Sequence, residues 1–496
     1  MPDCNLNGKF DSCDILRGVS LDCDRDGHPD DCEPDCNANG VADDCDISSG
    51  TSVDRNANGI PDECEPNRTW YVDASAPAGG DGSAAFPFGA IAPAISPSIS
   101  GDTILVRDGV YQGVDNRNIG LGGRSVVVRS EHGAAACTID CQLLGRAFLV
   151  DHFETAAARI QGFTFLNGSN LGGAIRVMSS DVTIAECRFV SCRATGGGGG
   201  AVLLEFSRSE VRDCVFTGNR ADVGGAIEAE GGEPWIHRCT FDSNIVTGRG
   251  GAMYAIALSG THGPLISECR FFGNHADISG GAILLGGPTQ AALRPARLVQ
   301  CLIAGNTAPT ASALNCNFGF VRLFDDTITD GQASTSSTIR IENVANVGLV
   351  NSILWNNASG DGKQATLTSS SQTFRVGYCV FQGGQAAIAA ASGSTVVWGV
   401  GNLGVDPQFV DADGPDGNPL TFADNDYRIG STSPCIDAGD NTEVPADVKD
   451  LDADGNVAEF WPFDLDGAGR FVDQPGVPDT GNGSAPIVDL GCLERP

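Results

Sequence analysis

Between residues 158 and 381 one apolar column recurs along the chain: Phe165, Phe189, Phe216, Phe241, Phe271, Ile303, Ile328, Leu354 and Phe381, spaced 24 to 32 residues apart. Two positions earlier stands a second column, Phe163, Cys187, Cys214, Cys239, Cys269, Cys301, Asp326, Ser352 and Cys379. Five positions earlier stands a third, Ile160, Ile184, Val211, Ile236, Ile266, Leu298, Leu323, Leu349 and Val376. Strand side chains alternate between faces, so columns two apart share a face, and the odd step from Ile184 to Cys187 predicts a bend between two short strands. Past the Phe column an amide recurs as Asn219, Asn244, Asn274, Asn306 and Asn357, with Gly-Gly-Ala-aliphatic units at 172–175, 199–202, 224–227, 250–253 and 280–283. Equal positions of neighbouring coils would stack about 4.8 Å apart, where an amide can both donate and accept along the axis. The pattern is all-β. It predicts a parallel solenoid of about three short strands per coil, each coil burying its apolar edge only against its neighbours. From residue 100 to 400 this gives about eleven or twelve coils and a rod about 55 Å long.

The amino-terminal pattern differs, with few apolar positions and a tandem duplication of residues 3–34 in residues 35–66. Each half contains two twelve-residue loops, beginning at Asp3, Asp22, Asp35 and Asp54. All four place Asp at position 1, Asn or Asp at 3 and 5, Gly at 6, Asp at 9 and an acid at 12. A hard cation of calcium's size takes six to eight oxygens, which such a loop supplies from alternate side chains and a backbone carbonyl at position 7. The glycine permits the sharp turn around the ion. The predicted calcium ligands are Asp3, Asn5, Asn7, Lys9, Asp11 and Asp14; Asp22, Asp24, Asp26, His28, Asp30 and Glu33; Asp35, Asn37, Asn39, Val41, Asp43 and Asp46; and Asp54, Asn56, Asn58, Ile60, Asp62 and Glu65, with Lys9, His28, Val41 and Ile60 acting through their carbonyls. Loop two offers five acids, loop three three acids and two amides, so their affinities should differ. Cysteines at positions 2 and 11 of loops one to three (Cys4, Cys13, Cys23, Cys32, Cys36, Cys45) are enough for three disulfides, which leaves Cys64 over. Spacing leaves open whether pairing runs within a loop or between neighbours. So small a core requires metal and disulfides to hold the segment.

Charge sharpens this division. The net charge is −33, of which residues 1–66 carry −13 and residues 406–496 carry −16. Segregated acid favours cation sites and argues against nucleic acid as a partner. Nineteen cysteines favour an oxidising compartment and a secreted or cell-surface protein. No apolar run is long enough to span a bilayer, and residues 1–20 lack the regions of a signal peptide. Three regions follow: calcium-loop repeats over 1–66, solenoid over 67–405 and an acidic cap over 406–496. In the cap, Asp450, Asp452, Asp454, Gly455 and Asn456 begin another calcium-like loop, but positions 9 and 12 are Ala458 and Trp461. Glu459, Asp464 or Asp466 would have to complete it.

The loops resemble thrombospondin type 3 repeats and, more loosely, dockerin loops, although spacers such as 14–21 are too short for a full helix. The "GGAI" and "FxxN" repeats resemble those of polymorphic outer-membrane proteins and related adhesins, within the right-handed parallel β-helix class of the pectate-lyase-like superfamily. The opening "WYVDASAPAGGDGSAAFPFGAIAPAIS" and the tail "STSPCIDAGDN" to "VDLGCLE" resemble the ends of bacterial secreted β-helices. That resemblance implies a short amphipathic helix over the first coil, which Pro93 and Pro97 would interrupt, and a tail that closes the last coil.

The superfamily's enzymes raise the question of a catalytic site. The strip Glu186, Arg188, Arg212, Asp213, His237, Arg238, Glu268 and Arg270 is expected on one outer face, where cross-rung ion pairs explain it as well as a charged glycan does. Asp326 enters an inward column beside Asp325, with Asp330 nearby, and Ser352 is its expected hydrogen-bond partner. The cysteine column reads as buried thiols filling space, with Cys187/Cys192, Cys137/Cys141 and Cys435/Cys492 as better disulfide candidates. No catalytic residue and no organic cofactor is assigned. The first reading is a calcium-binding structural or adhesive protein, presented outside a bacterial cell and able to self-associate into fibres. The alternative is a lyase or binding module for acidic polysaccharides.

Overall fold

A computed structural model describes residues 3–55, 58–258, 260–290, 292–418 and 421–495. Among them, parallel strands form four sheets of 13, 11, 11 and 6 strands, each strand paired with its counterpart one coil away. The first sheet runs from Thr69–Val72 to Thr395–Trp398, the second from Gly109–Tyr111 to Val380–Phe381, and the third from Ile119–Gly120 to Ile388–Ala390. The small fourth sheet, Arg220–Ala221 to Ala358–Ser359, follows the asparagine column. This is a parallel β-solenoid of about eleven turns, with the predicted columns in register: Phe165, Phe189, Phe216, Phe241 and Phe271 are direct Cα partners in succession.

Their rings stack inside the coil at centroid spacings of 5.0, 4.7, 4.8 and 4.7 Å, the strand spacing of a sheet. Each buried ring contributes about 2 kcal/mol of burial, and the offset stack adds to it. Beside them Asn219, Asn244 and Asn274 each donate Nδ2 to the Oδ1 of the next asparagine at 2.9–3.0 Å, and also to a phenylalanine carbonyl one coil back. The amide column satisfies the backbone where the coil turns. In the Gly-Gly units the second glycine leaves no room for a side chain, since a Cβ on Gly200 would lie 1.9 Å from the Gly225 carbonyl oxygen.

The predicted bend falls on the residue before each cysteine column position. Glu186, Asp213, Arg238, Glu268, Gln300, Asp325, Asn351 and Tyr378 all have φ between 48° and 56°, a left-handed conformation that is costly for non-glycine residues. The thiols do more than fill space here. Cys187 Sγ donates to the Ala185 carbonyl across the bend at 3.1 Å, while Cys214 Sγ accepts the Cys187 amide at 3.5 Å. The hydroxyl of Ser352 does the same, donating to Val350 at 2.7 Å and accepting the Asp326 amide at 3.1 Å. Asp326 Oδ1 in turn accepts the Cys301 amide at 2.9 Å, so Ser352 meets the Asp326 backbone rather than its carboxyl. The position needs a small acceptor, and sulfur, hydroxyl and a carboxyl held neutral by burial all serve. Among the described residues Cys187, Cys192, Cys137, Cys141, Cys435 and Cys492 are free thiols, and the three disulfides expected of them do not form.

Two further expectations are corrected. A helix, Ile91–Ile95, does cover the first coil, burying Ile91, Ala94 and Ile95, because Pro93 sits in its first turn where no intrahelical amide partner is needed. Among the described residues the tail bonds along the side of the coils, the last ones included, and not across the open end. It folds back along the solenoid flank, with Tyr427 donating to Asp330 at 2.8 Å, Asn351 bonded both ways to Asp440, and Trp461 buried against Leu265, Val299 and Val488. Arg470 and Asp325, both fully buried, pair at 2.7 Å across that interface. The strip expected on an open face is therefore partly covered, Glu268 lying buried beside Leu451 and Phe463 and Arg270 pairing with Asp466, while His237 is buried under the stacked Trp235 ring of its own strand.

Candidate metal centre

The four acidic loops share one backbone, set by short side-chain to main-chain bonds. The position 2 amide donates to the position 9 carboxylate in every loop: Cys4 to Asp11, Cys23 to Asp30 and Cys36 to Asp43 at 2.9 Å, and Arg55 to Asp62 at 3.0 Å. The position 6 glycine amides of loops one, three and four donate to Asp3, Asp35 and Asp54 at 2.8–2.9 Å. Position 7 amides, of Lys9, His28, Val41 and Ile60, donate to the side-chain oxygen at position 5. Left-handed residues at position 4 (Leu6, Arg25, Ala38) and position 6 (Gly8, Gly27, Gly40, Gly59) curl the chain so that the side chains of positions 1, 3, 5, 9 and 12 converge. Asn56 lies outside the described residues.

Several of the converging oxygens lack partners. Asp11 and Asp14 are buried, yet Asp11 Oδ2 and Asp14 Oδ1 accept no hydrogen bond, nor do Asp22 Oδ1 and Glu33 Oε2 of loop two. Loop two is the most acidic, with Asp22, Asp24 and Asp26 grouped within 4.8 Å. Burial, then Asp44, Asp26, Asp24 and Asp30, push the Glu33 carboxyl up to about 7. Elsewhere an amide relieves the crowding: Asn7 and Asn39 donate to the position 12 acids Asp14 and Asp46 at 2.7 Å, and Asn58 bonds Glu65. Oxygen-only donors held in a concave loop suit a hard divalent cation such as calcium.

Disulfides tie each loop to the next. Cys4 joins Cys32, Cys23 joins Cys45, and Cys36 joins Cys64, always position 2 of one loop to position 11 of the following one. The unpaired cysteine is Cys13, not Cys64, because Arg55 in place of a position 2 cysteine in loop four removes no partner of Cys64. Arg55 pairs instead with Asp62 at 3.5 Å. The spacers of loops one and three form two-turn helices, Asp11–Arg17 and Asp43–Ser49, each ended by a left-handed glycine, Gly18 or Gly50. Loops two and four end in single 3-10 turns, so the structure repeats with the 32-residue duplication.

The 450–459 loop copies half of this design. Ala453 and Gly455 are left-handed at positions 4 and 6, and Gly455 donates to Asp450 at 3.0 Å, Asp454 to Asp452 at 3.3 Å and Asn456 to Asp454 at 2.7 Å. Glu459 completes the cluster, with Oε1 buried and unpartnered. Asp464 and Asp466 do not join it: Asp464 accepts the Asp466, Ala468 and Glu494 amides, and Asp466 meets Arg270.

Two outer strips of the solenoid went unread in the sequence. On the third sheet Glu228 lies in register beside Leu203 and Tyr254, with Glu230 beside Glu205. Burial, reinforced by Glu230 and Glu205, raises Glu228 to about 8. On the first sheet Arg297, Arg322, Gly348 and Arg375 form one cross-coil row. Arg322 donates to the Val321 and Asn346 carbonyls and Arg375 to the Asn346 side chain, all uncharged oxygens. A groove of about 310 Å³ opens there, lined also by Tyr378, Val397, Asp440 and Glu443. Only knowledge of which strand residues face outward in neighbouring coils brings either set together.

The fold and the loop array define the class: a parallel β-helix protein carrying a disulfide-laddered array of acidic loops. A family model described as the right handed beta helix region matches residues 178–332. Over 163 residues, 32% of this chain, the sequence is 28% identical to the metabotropic glutamate receptor-like protein R of Dictyostelium discoideum, and the match spans 10% of that protein's length. Among solved structures, pectate lyase Pel9A is 14% identical, covering 87% of this chain and 97% of that one at a TM-score of 0.46. A rhamnogalacturonan lyase is 12% identical, covering 74% and 97% at a TM-score of 0.42.

Proposed function

We propose that this chain is an extracellular or cell-surface structural and adhesive protein whose amino-terminal loops bind calcium and present the β-helix. The observation that carries the reading is the set of buried, unpartnered carboxylate oxygens of Asp11, Asp14, Asp22 and Glu33 inside loops already folded around them. Burying unpaired carboxylate costs several kcal/mol, which a divalent ion offsets. Asp3, Asn5, Asn7, Asp11 and Asp14 would hold the ion of loop one, and the corresponding residues those of the other three; its charge cross-links a segment with little apolar core. Disulfides fit an oxidising compartment. Among the described residues no helix is long and apolar enough to cross a membrane. Titration calorimetry of the full chain should show uptake of calcium with a rise in melting temperature, and Asp14→Ala/Asp46→Ala, which disables loops one and three, should take up about two ions fewer with a smaller rise. No uptake at millimolar calcium would sink the reading. Val397 and Val400 are exposed at the last coil, so electron microscopy with and without chelator tests end-to-end assembly.

The arginine row favours a second reading, binding of acidic polysaccharide on the first sheet. Arg322→Ala/Arg375→Ala should then weaken binding of oligogalacturonate at least tenfold, and more so at low ionic strength. Equal binding by variant and parent removes this reading. A lyase would in addition release unsaturated products, followed by their ultraviolet absorption.

A further inference from the structure

The tail holds another group of carboxylates, away from the five loops. Asp437, Asp473 and Asp479 each offer one oxygen, and the three oxygens lie within 4.8 Å of one another. Asp437 is held by its backbone: its amide donates to Asp489 at 2.7 Å, and its carbonyl accepts the Thr480 and Gly481 amides at 2.9 and 3.0 Å. It is left-handed, at φ 50°, and has 0% of its surface exposed. Neither carboxylate oxygen has a hydrogen-bond partner; the Gln474 amide faces them without reaching bonding geometry. Asp473 and Asp479 come from the 472–480 loop, which turns through a bond from the Val477 amide to the Gln474 carbonyl and seats Val477 on the cluster of Ile353, Val380 and Ile429. Arg495, whose amide donates to Asp489 and whose carbonyl accepts Gln474 Nε2, points its guanidinium at the Ile429 carbonyl, 3.4 Å away, and Arg470 pairs with Asp325.

A buried carboxylate with both oxygens unpaired, facing two further carboxylates, requires a positive partner. We propose that Asp437, Asp473 and Asp479 form a binding site for a divalent, oxygen-seeking cation of calcium's class. Asp437 is the rigid ligand, and the two exposed aspartates close the 472–480 loop over the ion while leaving positions for water. The ion pins this loop to the turn that docks the tail on the solenoid. The chemistry is all-oxygen and hard, which disfavours zinc and other thiolate- or imidazole-seeking metals.

The test uses the full-length chain and its Asp473→Asn/Asp479→Asn variant, both substitutions being exposed and nearly isosteric. Hydrogen exchange is read with calcium chloride and with chelator. In the parent, calcium should slow exchange of the 478–482 amides by roughly tenfold or more. The variant should lose that protection, and native mass spectrometry should count one calcium fewer. Protection over residues 3–65 should be the same in both proteins. Because the two regions are read separately, failure of the amino-terminal loops and failure of this site give different maps. A calcium response at 478–482 that is absent in the parent, or equal in the variant, overturns the site. Protection that follows pH and ignores calcium assigns a proton to Asp437 and overturns it as well.

Discussion

At the residue scale the second column shows what a position in a solenoid demands. Cys214, Ser352 and Asp326 look unrelated by hydrophobicity, yet each offers a small acceptor to the coil before it, next to a strained left-handed residue. Periodicity located the column and the bend, but the hydrogen bonds that select its residues lie between coils, about 25 residues apart in sequence. Glu228 is the residue whose surroundings make the sharpest prediction. Its carboxyl titrates near 8 when folded against 4.5 when exposed, so the folded state holds the extra proton between these values. That contribution is complete below pH 4.5 and is lost as the pH rises through 8. Glu228→Gln should therefore flatten the decline in stability over this window, by up to about 1.4 kcal/mol for each pH unit, and should leave the variant the more stable protein above pH 8. Urea unfolding at pH 5, 7 and 9 measures it.

At the scale of the element, the twelve-residue loop was legible almost whole. Asp at 9 makes the same backbone bond in all four copies, and Asp at 1 with Gly at 6 does so in loops one, three and four, so composition and geometry coincide there. The disulfide pattern was not legible, because pairing position 2 with the next loop's position 11 depends on how successive loops are packed. The copies still differ in charge. At the proposed calcium site of loop two, Glu33, raised to about 7, would hold a proton that the ion must displace, so calcium affinity should fall as the pH drops below 7. Glu33→Gln should remove that pH dependence while lowering affinity at pH 8. Calorimetric titration at pH 6 and 8 distinguishes the two proteins, and an unchanged pH profile in the variant would count against the role given to Glu33.

At the scale of the whole molecule, the tail decides which surfaces of the rod are available. It lies over Glu268 and Arg270 and leaves the first-sheet groove at Arg322 and Arg375 open. Its anchor is Arg470, wholly buried, bonded to Asp325 and to the Gly491 and Asp489 carbonyls. Truncating one partner of a buried pair leaves the other charge stranded, at about 3–5 kcal/mol. Arg470→Met should release the tail without unwinding the coils. Proteolysis should then cut within residues 406–496 while circular dichroism keeps its β signature, and the double variant Arg470→Met/Asp325→Asn, which removes the stranded charge and keeps a residue that tolerates the left-handed conformation, should recover part of the loss.

The sequence alone determined the coil, its columns, the bend before each cysteine and the oxygen-rich loops, because each follows from residues repeated at a fixed period and from bonds made within a few positions. The tertiary structure alone decided the disulfide ladder, the path of the tail, the arginine and glutamate strips and the meeting of Asp437 with Asp473 and Asp479. Those depend on which distant segments lie side by side, and no local propensity or spacing encodes that.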